Sequence, residues 1–136
     1  MSNTRFATAL HILTLLADQD QEWLRSEWIA GSININPVIV RKELSLLNEA
    51  GLVLSRKGKE GGFKLNKSSD TISLAEIYLT VKNSEVLGKR NQNPNPKCPI
   101  GKSINQQLEG LFTEIDQKVE NELKGKTLKN FVEQFH

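Results

Sequence analysis

Residues 26–67 read SEWIAGSININPVIVRKELSLLNEAGLVLSRKGKEGGFKLNK, and this stretch constrains the fold more than any other. SEWIAGSI (26–33) is a short helix with Ser26 expected at its N-cap, weakened toward its end by Gly31 and Ser32. Asn34 and Asn36 suit a turn. The next helix runs from Pro37 to about Ala50, and Gly51 stands where a helix ends in the left-handed conformation. Two helices joined by so short a connection match a helix-turn-helix.

The second of these helices opens on Val38, Ile39 and Val40, a β-branched run that favours strands. Asn36 as N-cap and Pro37 at the first helical position offset this, because that position has no intrahelical N–H bond to lose. The start is then secure enough to absorb a few tenths of a kcal/mol, roughly, at each β-branched residue. Val40, Leu44 and Leu47 recur at spacings of four and three and share the core face. Val38, Ile39, Arg41, Lys42 and Ser45 point elsewhere. In a recognition helix the N-terminal residues meet base edges. Arg41 and Lys42 suit guanine or phosphate, and Val38 or Ile39 suits a thymine methyl.

Directly after it, Leu52–Arg56 and Phe63–Leu65 read as short strands around KGKEGG, a glycine-rich hairpin turn. A hairpin in this position is a wing, and Arg56, Lys57 and Lys59 would lie along phosphates or in a narrow minor groove. Charge is concentrated here. The chain's formal net charge is +2, whereas residues 51–67 alone hold five basic residues against one acidic, a balance of +4. Local concentration of this kind is the electrostatic footprint of a nucleic-acid binder.

The rest of the chain frames this unit. Residues 3–20 form a helix whose stripe Phe6, Ala9, Leu10, Leu13 and Ala17 is widened by Ile12, Leu15 and Leu16 until little polar face remains. A second subunit is one expected source of cover. In 73–83, Ser73 and Glu76 form a capping box. Residues 84–97 are rich in Asn, Pro and Lys and read as a flexible loop. A long helix follows over 98–124, with Pro99 at its first position. Ile104, Leu108, Leu111, Ile115, Val119 and Leu123 make one narrow apolar stripe along it, the pattern of a helix that packs on another helix. The stripe is expected at a subunit interface. A last amphipathic helix lies within 125–136. The expected organisation is a winged helix domain over 1–83, the loop 84–97, a dimerisation helix 98–124 and a C-terminal helix 125–136.

No apolar run approaches the roughly 20 residues of a membrane span. The N-terminus lacks the order of a signal peptide, so a cytoplasmic protein is expected. The single cysteine, Cys98, excludes an intramolecular disulfide and a site built from several cysteines of one chain. Cys98 with His11 or His136 could be imagined as a nucleophile–base pair, but no nucleophile elbow, phosphate loop or metal-ligand spacing accompanies them, and no enzyme is expected. A winged helix that binds protein in place of DNA is the remaining alternative. Cys98 also stands at the expected start of the long helix, near Lys97 and Lys102. A helix N-terminus with adjacent cations raises thiol reactivity, which makes Cys98 a candidate redox or electrophile sensor.

The sequence resembles the Rrf2 family of bacterial winged-helix transcription regulators over nearly its whole length. The resemblance is carried by the run from Asn36 through GLVLSRKGKEGGFKL, by ISLAEIY (72–78), and by the long helix opening at CPIGKSI. It implies a mainly α fold with a small β-hairpin wing and a long C-terminal dimerisation helix. It implies a homodimer on double-stranded DNA with dyad symmetry and repression by default; a small-molecule or oxidant signal is expected beside it from the setting of Cys98. By resemblance the DNA-contacting positions are Asn36 to Ser45 and Arg56 to Gly62, with Gly61 and Gly62 among them. Well-known members hold an iron–sulfur cluster on three cysteines in the loop and at the start of the long helix. This chain has only Cys98 there, so it resembles the branch without that motif, and no metal cofactor is assigned.

Overall fold

The computed structural model describes residues 3–136, so the first two residues of the expected 1–83 unit lie outside the described residues. Six helices and one hairpin follow in the order α1 (Arg5–Asp18), α2 (Ser26–Ile33), α3 (Pro37–Glu49), β1 (Val53–Arg56), β2 (Gly62–Leu65), α4 (Leu74–Val81), α5 (Pro99–Lys124) and α6 (Leu128–Glu133), with a 3-10 turn at Ser69–Thr71. This is the mainly helical, winged arrangement with a long C-terminal helix that the sequence implies.

The central element is α1. It is apolar nearly all round because its own chain surrounds it: α2, α3, α4, α6 and β2 all pack on it. Ala9, Ile12, Leu13 and Leu16 are buried with Ile29, Val40, Leu44, Leu47, Leu52, Ile72, Ile77 and Leu128 in one core. The cover expected from a second subunit therefore comes largely from within the chain. The missing piece in the sequence is α6, which returns from the far end of the molecule. Leu128 N–H bonds to Ile72 O at 2.9 Å, and Leu74 N–H to Lys126 O at 2.9 Å. Residues 125–136 thus pack on the winged helix core.

Local signals set the helix ends. Asn36 Oδ1 accepts the Val38 N–H at 2.8 Å, and Pro37 opens α3. Gly51 leaves that helix at φ +79°. Ser73 and Glu76 close a capping box at the start of α4. The expected cap at Ser26 is a correction. Arg25, in extended conformation, holds the N-cap position, and Ser26 is the first helical residue, buried, with its hydroxyl donating to Glu27 Oε2 at 3.2 Å. Leu24, just before Arg25, bridges to Phe63, and the helix begins at Ser26, one residue earlier than a helix capped by Ser26 would.

The hairpin pairs Val53 with Leu65 and Arg56 with Gly62, antiparallel. Leu52 falls outside it because its N–H closes the end of α3 on Leu47 O at 3.0 Å. Along α5 only one side chain is buried, Phe112, with the Arg90 guanidinium 5.3 Å from its ring centre. The connection 84–97 has no helix or strand, yet it is tied to α5: Val86 N–H donates to Asp116 Oδ1 at 2.8 Å, and Asn105 Nδ2 donates to Asn91 O at 2.8 Å.

Candidate nucleic-acid interface

The interface begins with the helix that Asn36 and Pro37 start. Burial of Val40, Leu44 and Leu47 fixes its rotation, since those three lie on one face and are fully covered. Everything a turn away must then face outward. Val38 is 61% exposed and Ile39 49%, a large apolar surface at a helix N-terminus that the described residues leave uncovered. Arg41, Lys42 and Ser45 are exposed on the same side of the molecule. Asn36 is exposed as well, but its side-chain oxygen is committed to the cap.

A carboxylate borders this surface. Glu27 Oε1 of α2 stands 4.0 Å from Arg41 Nη1. The backbone N–H of Glu27 itself and the Ser26 hydroxyl hold the Glu27 carboxyl below its ordinary range, with Arg25 and Arg41 adding attraction. Glu27 is thus an ionised acceptor beside the guanidinium, able to hold it in place or to compete with an anion for it.

The wing supplies the second cationic element. Lys57 and Lys59 are exposed at the turn, and neither ammonium has a salt-bridge partner among the described residues. Their charge is free for phosphate. Arg56 is exposed too, and it also has partners within its own chain. Its guanidinium lies 4.5 Å from the centre of the Trp23 ring, and its Nε donates to Glu60 O at 3.0 Å. Lys64 Nζ also approaches that ring, at 5.4 Å. Arg56 works first on the wing's own shape. The two glycines have a backbone reason as well. A Cβ on Gly61 would lie 2.1 Å from Arg56 O. Gly62 has φ +147°, and its Cβ would lie 2.7 Å from Leu24 O.

Trp23, Leu24 and Arg25 form the connection on which the wing rests, and no motif marks them in the sequence. Leu24 N–H bonds to Phe63 O at 3.0 Å, and Phe63 N–H to Leu24 O at 2.8 Å. Their one visible signal is an apolar residue between two large flanking side chains, which is too short to register as a strand.

The expected interface stripe of α5 is divided. Leu111 is 47% exposed. Ile104, Leu108, Ile115, Val119 and Leu123 are half-buried, and Leu123 packs against the core of its own chain. Cys98 is exposed at the N-cap of α5, where its Sγ accepts the Gly101 N–H at 3.4 Å. The two histidines have other neighbours: His11 Nε2 lies 3.1 Å from Ser32 Oγ, and His136 Nε2 lies 2.5 Å from Asp18 Oδ1.

Comparison with known proteins places this arrangement. The Rrf2 family model, described as an iron-dependent transcriptional regulator, matches residues 2–134. YwnA of Bacillus subtilis (strain 168), whose name describes an HTH-type transcriptional regulator, is 44% identical over 130 residues, covering 96% of each chain. A crystal structure described as that of a DNA-binding protein superposes with a TM-score of 0.74 at 39% identity, covering 93% of this chain and 97% of the other. CymR of B. subtilis, described as the global cysteine regulator, shares the fold with a TM-score of 0.72 at 22% identity, covering 98% and 97%.

The iron in that family description does not fit the donors of this chain. Iron–sulfur ligation takes about four ligands, mostly thiolates. The sequence has one cysteine. Among the described residues no group of three His, Cys, Asp or Glu side chains converges.

Proposed function

Because the chain belongs to the Rrf2 family of transcriptional regulators, we propose that it binds a dyad-symmetric operator as a homodimer and represses transcription from it. The observation that carries this reading is the pairing of an exposed α3 N-terminus with free wing cations. Val38, Ile39, Arg41, Lys42 and Ser45 offer both apolar and charged contacts to base edges, while Lys57 and Lys59 offer charge to the backbone. Positioning by phosphates and reading by bases are thus divided between two adjacent elements. Symmetry follows from the α5 stripe. Leu111 and its half-buried neighbours Ile104, Leu108, Ile115 and Val119 give a long apolar edge that a second copy would cover, bringing two recognition helices onto half-sites one helical turn apart.

The proposed signal acts at Cys98. Its thiol is exposed and caps the helix that carries the stripe, so oxidation there would alter the start of α5 and with it the spacing of two winged domains. No helix of the described residues is long and apolar enough to cross a membrane, in keeping with a protein that must reach DNA.

Purified protein offered random genomic fragments at two salt concentrations tests the reading. Selected fragments should share an inverted repeat, and affinity should fall steeply with salt. Binding without any sequence preference would leave the winged helix to a protein partner.

A further inference from the structure

The wing of this chain is not a free hairpin. Two four-residue strands joined by a turn are marginal in isolation. What steadies them is the connection between α1 and α2. Leu24 is buried and exchanges both backbone hydrogen bonds with Phe63 of β2. Successive residues of an extended segment point to opposite sides, so a Leu24 turned inward sends Trp23 and Arg25 outward together. Both meet the wing. The Trp23 ring receives Arg56 from β1 at 4.5 Å and Lys64 from β2 at 5.4 Å. Arg25 Nη1 reaches the turn itself, with Gly58 O at 3.4 Å and Lys59 O at 3.1 Å.

We propose that Trp23 and Arg25 are positioning residues for DNA binding, which hold the wing in the pose where Lys57 and Lys59 meet phosphate. This rests on the reading of the wing as a DNA contact. Neither residue need touch DNA. A guanidinium that grips two successive carbonyls removes the freedom of the turn between the two lysines, and the ring locks the strands that lead to it. The lysines then meet DNA without the ordering cost that a loose turn would incur on binding. Because Arg25 is also the N-cap residue of α2, the wing and the helix-turn-helix are joined through one residue.

The test measures affinity and salt slope for the selected operator in the wild type, Arg25→Ala, Trp23→Ala, the pair Lys57→Ala/Lys59→Ala, and Arg25→Ala added to that pair. Arg25→Ala and Trp23→Ala should each bind about tenfold more weakly, and Arg25→Ala, which truncates an exposed side chain, should keep the wild-type melting temperature. The salt slope of Arg25→Ala should fall toward that of the lysine pair, by up to about two units. Adding Arg25→Ala to the lysine pair should then change little, because the wing it positions no longer carries charge. Trp23→Phe, which keeps a ring under Arg56, should restore most of the affinity and guards against a Trp23→Ala variant that folds poorly. Wild-type affinity in Arg25→Ala overturns the proposal. So does a loss that adds in full to that of the lysine pair, since Arg25 would then act on DNA directly or through the fold. A wild type whose binding is indifferent to salt and unaffected by the lysine pair overturns the DNA reading of the wing instead.

Discussion

Lys82 Nζ stands 3.1 Å from Asp116 Oδ2, and this contact joins the end of the winged helix unit to the middle of α5. The other oxygen of Asp116 accepts the Val86 N–H, so one carboxylate fastens α4, the connection after it and the long helix at a single point. Phe112 lies one turn away as the buried apolar anchor of the same helix. Any signal that moves α5 relative to the DNA-binding elements must work against this point.

The lock has a defined pH range. The Val86 backbone N–H, and after it Lys82, hold the Asp116 carboxyl below its ordinary range. The bond to Asp116 raises the Lys82 ammonium above its own. A depressed carboxylate contributes stability that is present above its unfolded pKa, about 3.9, and lost as pH falls through the lower folded value. A raised amine contributes stability that is present below its unfolded pKa, about 10.4, and lost as pH rises through the higher folded value. Asp116→Asn should therefore cost about 1.5–3 kcal/mol at neutral pH. The gap from wild type should stay level between roughly pH 5 and 9, narrow as pH falls below about 4, and close only below the lowered folded value. Denaturant midpoints from neutral pH down into the acid range give the answer, and a gap that does not narrow at all below about pH 4 would take the carboxylate charge out of the account.

Arg41 and Lys57 should fail differently. Arg41→Ala should weaken operator binding by about 1–3 kcal/mol and leave random DNA nearly unaffected, as expected of a bidentate base contact. Lys57→Ala should weaken all sequences alike and lower the salt slope by about one unit. Competition binding separates the two. Unchanged operator affinity in Arg41→Ala would mean that Glu27, not DNA, is the working partner of that guanidinium.

Leu111→Asp tests assembly. The side chain is half-exposed in the single chain, so the fold should tolerate the substitution. Between two subunits it would bury an unpaired charge, at a cost of several kcal/mol, roughly. Sedimentation should show monomers that bind the operator poorly. An unchanged dimer would remove the stripe from the interface.

Cys98→Ser should keep full operator affinity and abolish any effect of peroxide on it. Reduced wild type and Cys98→Ser should titrate the operator identically, while peroxide-treated wild type binds at least several-fold more weakly. Equal binding in all three preparations would leave Cys98 as a cap and nothing more.

Gly62→Ala should disable the wing from within. The new Cβ would meet Leu24 O at 2.7 Å in a backbone conformation that L-residues rarely adopt. A loss of about 1–3 kcal/mol in stability, or a displaced wing with weak DNA binding, is expected. Amide exchange at Leu24 and Phe63 reads it directly. Retained protection at both would show that the chain accommodates the methyl group.

Much of this molecule could be read from its residues in order, and the reason is locality. Asn36 and Pro37 start α3, Ser73 and Glu76 start α4, and Gly51 ends α3, all through bonds that span only a few residues. The period of Val40, Leu44 and Leu47 likewise fixes which side of α3 faces out, because a helix has no other rotation that buries all three. So the exposed face of α3 and the basic turn are legible in the sequence. Contacts between distant segments were not. Arg56 counts as a free cation in any tally of charge, and only the fold brings Trp23 beneath it. Gly61 and Gly62 look like turn residues, and only the passage of Leu24 explains why no side chain fits at Gly62. Leu128 looks like part of a terminal appendage, and only tertiary packing places it on Ile72 in the core that covers α1. Periodicity reports that a face is apolar. What comes to lie on that face depends on where the whole chain returns, and this is settled by packing among segments dozens of residues apart.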